Sequence, residues 1–232
     1  MTTVPDAAPD GRQKRWREHN DARRQRIVGV AVELIESGDA DLTLQEVARR
    51  AGLSRSVVYR QFADRRELDA AVQSYVLESL WAELVPTLHL EGTIRDSIEG
   101  MIRVYVQWAV RHPLLHRRFD YETAVDGDGP LEQTLGRVSA QVAALLTGVF
   151  EALGAKLSEA DRAATGPLVY GLVVAVFGTV RRWIRTGVDV PDADHMIGLL
   201  VESAWAVIDT RARAFGLTVD PDAPLEQLIA GA

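Results

Sequence analysis

Cysteine is absent from the 232 residues. Its absence excludes disulfides, thiolate metal centres and cysteine nucleophiles, and a cytoplasmic location is the simple expectation. Long apolar runs are missing as well. The best candidate, "GPLVYGLVVAVFGTV" from Gly166, falls short of the ~20 residues of a membrane span and holds Pro167 near its start. No membrane partner is therefore expected. The first twenty residues carry charges but no apolar core after them, so they do not read as a secretory signal. A phosphate-binding loop, a dinucleotide glycine fingerprint and a Gly-x-Ser-x-Gly elbow are all lacking. No cofactor and no catalytic residue is assigned. "DGDG" at Asp126–Gly129 lacks the later ligands of a calcium loop and reads as a plain loop.

What is present is ordinary globular material, 47 % hydrophobic and 25 % charged, enough for a sizeable core. The net charge of −7 hides an asymmetry: Gly11–Arg66 holds 13 Lys and Arg against 8 Asp and Glu, about +5, which leaves about −12 on the remainder. A basic end on an acidic body suggests that one end meets phosphate while the rest does something else.

Apolar residues recur at three- and four-residue steps almost throughout, which predicts an all-α fold of about nine helices. Residues 1–19 read as a disordered basic arm. In it "GRQKRWREHN" either lies along a minor groove or phosphate backbone, or serves as a solubilising tail. A first helix is expected over Asn20–Ser37. Thr43, with Glu46 three residues on and Leu42 and Val47 flanking, marks the start of a second, as a capping box with a hydrophobic staple. Gly52 ends it. Ser54 caps a third helix to about Phe62, and Asp64 with Glu67 caps a fourth, closed by Pro86. Longer helices follow at about Thr93–Arg111, Pro113–Tyr121, Leu131–Leu153, Ser158–Thr186 and Asp192–Phe215, with Gly166-Pro167 kinking the eighth or marking its true start.

Two short helices joined by a three-residue turn form a helix-turn-helix. Ala48 and Ala51 permit the close crossing. Leu53, Val57 or Val58, and Phe62 anchor the second helix. Its outer face presents Ser54, Arg55, Ser56, Tyr59 and Arg60, residue types that reach guanine edges and phosphates when the N-terminal part of such a helix enters a major groove.

The segment "IVGVAVELIESGDADLTLQEVARRAGLSRSVVYRQFADRRELDAAV", Ile27 to Val72, resembles the N-terminal domain of a TetR-family transcriptional regulator in order, spacing and residue type. The resemblance implies a homodimer with two DNA-reading heads, a palindromic double-stranded DNA operator, and a C-terminal domain that binds a small molecule. It implies that Thr43, Ser54, Arg55, Ser56, Tyr59 and Arg65 lie at or near DNA, with Arg65 in place of the usual lysine. Ser56 stands where the family often has Gly, and Val57 where it often has Thr or Ala, so base preference does not transfer. The expected domains are residues 20–66 for the helix-turn-helix, a linking helix over 64–84, residues 67–215 for effector binding and dimerisation, and a tail over 216–232.

In the body, His112, His116 and Asp120 share the i, i+4, i+8 spacing open to metal ligands, but Pro113 starts a helix there and puts His112 on its cap; no metal is assigned. Aromatic surface exceeds what two-sided helices need. Met101, Tyr105, Trp108, Phe119, Tyr121, Phe150, Tyr170 and Phe177 are the candidate lining of a largely apolar effector pocket between helices. Gly171, Ala175 and Gly178 form a small-residue strip which, with Leu200, Ala204, Trp205 and Ile208, is the candidate dimer interface. The expected function is a ligand-responsive repressor. The rivals are a helix-turn-helix protein without effector, which needs a filled body, and an enzyme with an accessory DNA-binding head, which would draw on His112, His116 and Asp120.

Overall fold

In a computed structural model the described residues are 11–38, 42–88, 92–118, 129–188 and 190–230, with only the backbone described for 11–18 and 118. Among them all regular structure is helical: α1 (Gly11–Glu36), α2 (Leu44–Ala51), α3 (Arg55–Gln61), α4 (Arg65–Leu84), α5 (Ile94–Arg111), α6 (Pro113–Arg118), α7 (Pro130–Ala152), α8 (Glu159–Thr186), α9 (Ala193–Ala214) and α10 (Leu225–Ala230), with a short 3₁₀ turn at Val85–Thr87. The all-α expectation holds. The chain forms two compact units, Met1–Tyr75 and Val76–Ala232, and the division falls inside α4.

In the first unit α1 packs on α2 and α2 on α3. Ile27, Ala31, Leu34 and Ile35 of α1 meet Leu42, Val47, Ala48, Val58, Phe62, Leu68 and Val72 in one buried core. α1 begins at Gly11, so residues 11–19, expected as a disordered arm, continue the helix. Arg, Lys, Gln and Glu are good helix formers, and an existing helix extends more readily than a new one nucleates. Residues 1–10 of that arm lie outside the described residues.

In the second unit α7 packs chiefly on α8, and α5 on α9. Thr93 and Ser158 form complete capping boxes with Asp96 and Asp161 at the starts of α5 and α8. α8 therefore starts at Glu159 and Pro167 lies within it, not at its start. Residues 216–230, expected as a tail, return to the start of α5. Leu225 N–H donates to Gly92 O at 3.0 Å, Arg95 N–H donates to Pro221 O at 3.1 Å, and the Arg95 side chain pairs with Asp222.

α8 is the helix among the described residues long and apolar enough to cross a membrane by length and composition. Its mean hydropathy is 1.7 over the most apolar window, of which 11 % is buried. The sequence reading missed this because the arginines that close the run at Arg181 and Arg182 do not offset its apolar content. Such an exposed apolar helix also fits one covered by another protein surface.

Candidate nucleic-acid interface and ligand cavity

The helix-turn-helix is assembled by backbone caps. Thr43 Oγ1 accepts from Glu46 N–H at 3.1 Å, which leaves the exposed Thr43 hydroxyl proton available to an external acceptor. The other half of the expected capping box does not form: the Glu46 carboxylate pairs with Arg49, which holds its pKa below the usual carboxylate value. Gly52 takes φ 65° and ψ 32°, and Leu53 N–H donates to Ala48 O at 3.0 Å, the double closure that lets the chain leave α2 and start α3 within three residues. Ser54 occupies the N-cap of α3 without a side-chain cap bond; its hydroxyl lies 3.0 Å from that of Ser56.

The valine pair is resolved. Val58 is completely buried, beside Phe62 in the core, and Val57 is half-buried. The opposite side of α3 is exposed: Ser54, Arg55, Ser56, Tyr59 and Arg60 all face solvent, Tyr59 at 53 %. Among the described residues Arg55, Tyr59 and Arg60 make no intramolecular hydrogen bond or ion pair. Arg65 is half-buried and pairs with Asp69 at 3.2 Å.

No local sequence pattern marks Arg24. Its guanidinium lies over the Phe62 ring, donates to Gln61 O and pairs with Glu67 at 3.2 Å. It ties α1 to the end of α3 and the start of α4.

The second unit holds a partly open cavity of about 180 Å³. Of the aromatic candidates, Met101, Tyr105, Phe150 and Phe177 line it. Trp108 is buried elsewhere, against His112 and His116, and Tyr170 donates to Glu132 at 2.7 Å on the helix surface. Phe119 and Tyr121 lie outside the described residues. Most of the wall is aliphatic, with Leu77 and Leu80 of α4, Ile98 of α5, Leu146 of α7 and Val176 of α8. These were missed because a leucine on a helix stripe looks the same whether it fills a core or borders a void. Tyr105, 8 % exposed, places its hydroxyl 2.9 Å from Nε2 of the buried His116, and burial pushes its pKa well above 10.0. The pair accounts for His116. Asp120 lies outside the described residues, and no metal-binding cluster of three side chains occurs among those described.

The proposed dimer residues divide. Gly171, Ala175 and Gly178 are exposed on α8. Leu200, Ala204 and Ile208 are not available, being buried at 6 %, 4 % and 7 % exposure, and Ala204, Trp205 and Ile208 border the cavity. The large exposed apolar residues of α9 are Leu199 and Val207, with Leu168 on α8. The expected face of α9 is one residue out of phase.

A profile of the bacterial regulatory proteins of the tetR family matches residues 27–72, the helix-turn-helix unit just described. That unit is a TetR-family DNA-binding domain. An uncharacterized HTH-type transcriptional regulator of Mycobacterium tuberculosis is 23 % identical over 200 residues, covering 86 % of this chain and 82 % of that one. The transcriptional activator FasR of Mycolicibacterium smegmatis is 24 % identical over 198 residues, covering 84 % and 87 %. A TetR-family regulator of Streptomyces coelicolor shares the fold, with a TM-score of 0.62 at 18 % identity over 91 % of this chain and 88 % of that one. The chain is thus similar over most of its length to transcriptional regulators and carries a DNA-binding helix-turn-helix of the tetR type.

Proposed function

We propose that the protein is a homodimeric repressor released from a palindromic operator by a largely apolar small molecule. One observation carries the reading. A single helix, α4, places Leu68 and Val72 in the core of the DNA-binding unit and Leu77, Leu80 and Leu84 on the wall of the cavity in the other unit. A ligand that displaces the cavity wall moves α4. Movement of α4 changes the spacing of two recognition helices that must meet half-sites about one DNA turn apart or a multiple of it. The ligand lowers DNA affinity only to the extent that it binds the mismatched spacing better.

Arg55, Tyr59 and Arg60, exposed and unpaired among the described residues, supply base-edge and phosphate contacts, and Ser54, Ser56, Thr43 and Arg65 flank them. The cavity argues against a DNA-binding protein without effector, which has no use for a void. The similarity to a transcriptional activator bears on the sign: one head represses or activates according to where its operator lies. The exposed apolar side of α8 and α9 supplies the dimer contact, and the cytoplasm is where such a head meets DNA.

Fluorescence anisotropy against DNA flanking its own gene tests the reading. The wild type binds one fragment tightly and loses affinity as salt rises, and Arg55→Ala and Tyr59→Ala abolish that preference. Equal, weak binding to every fragment, unchanged in both variants, would sink it.

A further inference from the structure

We infer that the cavity of the second unit accepts a compact, uncharged, mainly apolar ligand and excludes carboxylates. This rests on the reading of that cavity as the effector site. Size is the first constraint. A volume of about 180 Å³ is near that of an apolar cavity of roughly 150 Å³ that holds benzene. The fitting occupant is therefore a one- or two-ring molecule or a short alkyl chain.

Charge is the second. Among the described residues the lining includes no Asp, Glu, Lys, Arg or His. A carboxylate entering it gives up water without meeting a cation, an unfavourable exchange in any apolar site. The lining hydroxyls do not compensate. Thr87 Oγ1 donates to Leu84 O at 2.8 Å, Ser97 Oγ to Thr93 O at 3.2 Å, and Thr134 Oγ1 to Pro130 O at 2.9 Å. Each proton is committed to a backbone carbonyl, so these oxygens keep only lone pairs, which accept hydrogen bonds and repel anions.

Trp205 and Tyr105 also border the cavity, but polar atoms contribute almost none of its described surface. The Tyr105 hydroxyl shares a hydrogen bond with His116 Nε2. Burial keeps this phenol neutral, and the Arg181 charge that opposes the shift does not belong to the lining.

Calorimetric titration and thermal denaturation of the full chain with 1-octanol, octanoate, octylammonium and naphthalene decide the matter. Octanol and naphthalene bind and raise the Tm, while both charged probes bind at least about tenfold more weakly. Val142→Phe, which narrows the cavity at α7, weakens both neutral probes. Octanoate binding as tightly as octanol would overturn the charge exclusion while leaving the cavity as a ligand site. Neutral probes that bind regardless of Val142→Phe, or no binding by any probe, would overturn the cavity as the effector site and the inference with it.

Discussion

The guanidinium carbon of Arg24 stands 4.1 Å from the centroid of the Phe62 ring. Phe62 is fully buried and terminates α3, so the arginine covers the residue that anchors the recognition helix. The same side chain also holds Gln61 O and Glu67. One charged side chain of the first helix thus braces the end of the recognition helix against the start of α4.

Arg24→Ala removes a cation–π contact together with a carbonyl partner. The expected loss is about 1–2 kcal/mol of head stability, read by urea denaturation, with a fall in DNA affinity although Arg24 is not on the exposed face of α3. Arg24→Lys restores little of it, because an ammonium cannot lie flat on the ring and fork to two acceptors at once. Full rescue by lysine would show that charge alone matters at this position.

Val58 and Val57 are adjacent and chemically identical, and the fold separates them. Val58→Ala opens a void in a closed core and should cost about 2 kcal/mol, whereas Val57→Ala, at a half-buried position, should cost under about 1 kcal/mol. Thermal melts of the two variants measure the difference. Equal losses would mean that α3 is rotated from the orientation described.

Leu199 and Leu200 separate dimerisation from folding. Leu199→Glu places a charge on the exposed side of α9 and should yield a folded monomer in sedimentation experiments. Leu200→Glu buries an unpaired charge and should unfold the second unit, at a cost of several kcal/mol. A folded dimer in the Leu199→Glu variant would remove this side of α9 from the proposed interface.

Tyr105 makes stability depend on pH at the alkaline end. Its folded pKa is raised well above the ordinary 10.0, chiefly by burial. Between that ordinary value and the folded one, the unfolded chain has released a proton that the folded chain retains. Stability is therefore unaffected below pH about 10 and falls as pH rises beyond it. Tyr105→Phe should flatten this decline in denaturation midpoints measured from pH 9 upward. An unchanged decline would assign it to other groups.

Local signals alone determined most of the secondary structure. Thr43, Gly52, Asp64, Thr93 and Ser158 cap or terminate helices through contacts within a few residues, so their effect is written in adjacent sequence. The exposed face of α3 was legible for the same reason, since a helix with Phe62 anchored inward turns Arg55, Tyr59 and Arg60 outward. The tertiary structure decided what depends on partners distant in sequence. It chose Val58 over Val57, because α1 and α2 surround only one side of α3. It returned residues 216–230 to the start of α5, through contacts between segments more than a hundred residues apart. It also turned Leu200, Ala204 and Ile208 inward and left Leu199 and Val207 outside. A helix buried on one side and apolar on both carries no periodic mark to tell its two faces apart. The cavity belongs to the same class, since whether aliphatic helices close completely or leave a void depends on how their volumes interlock across the unit.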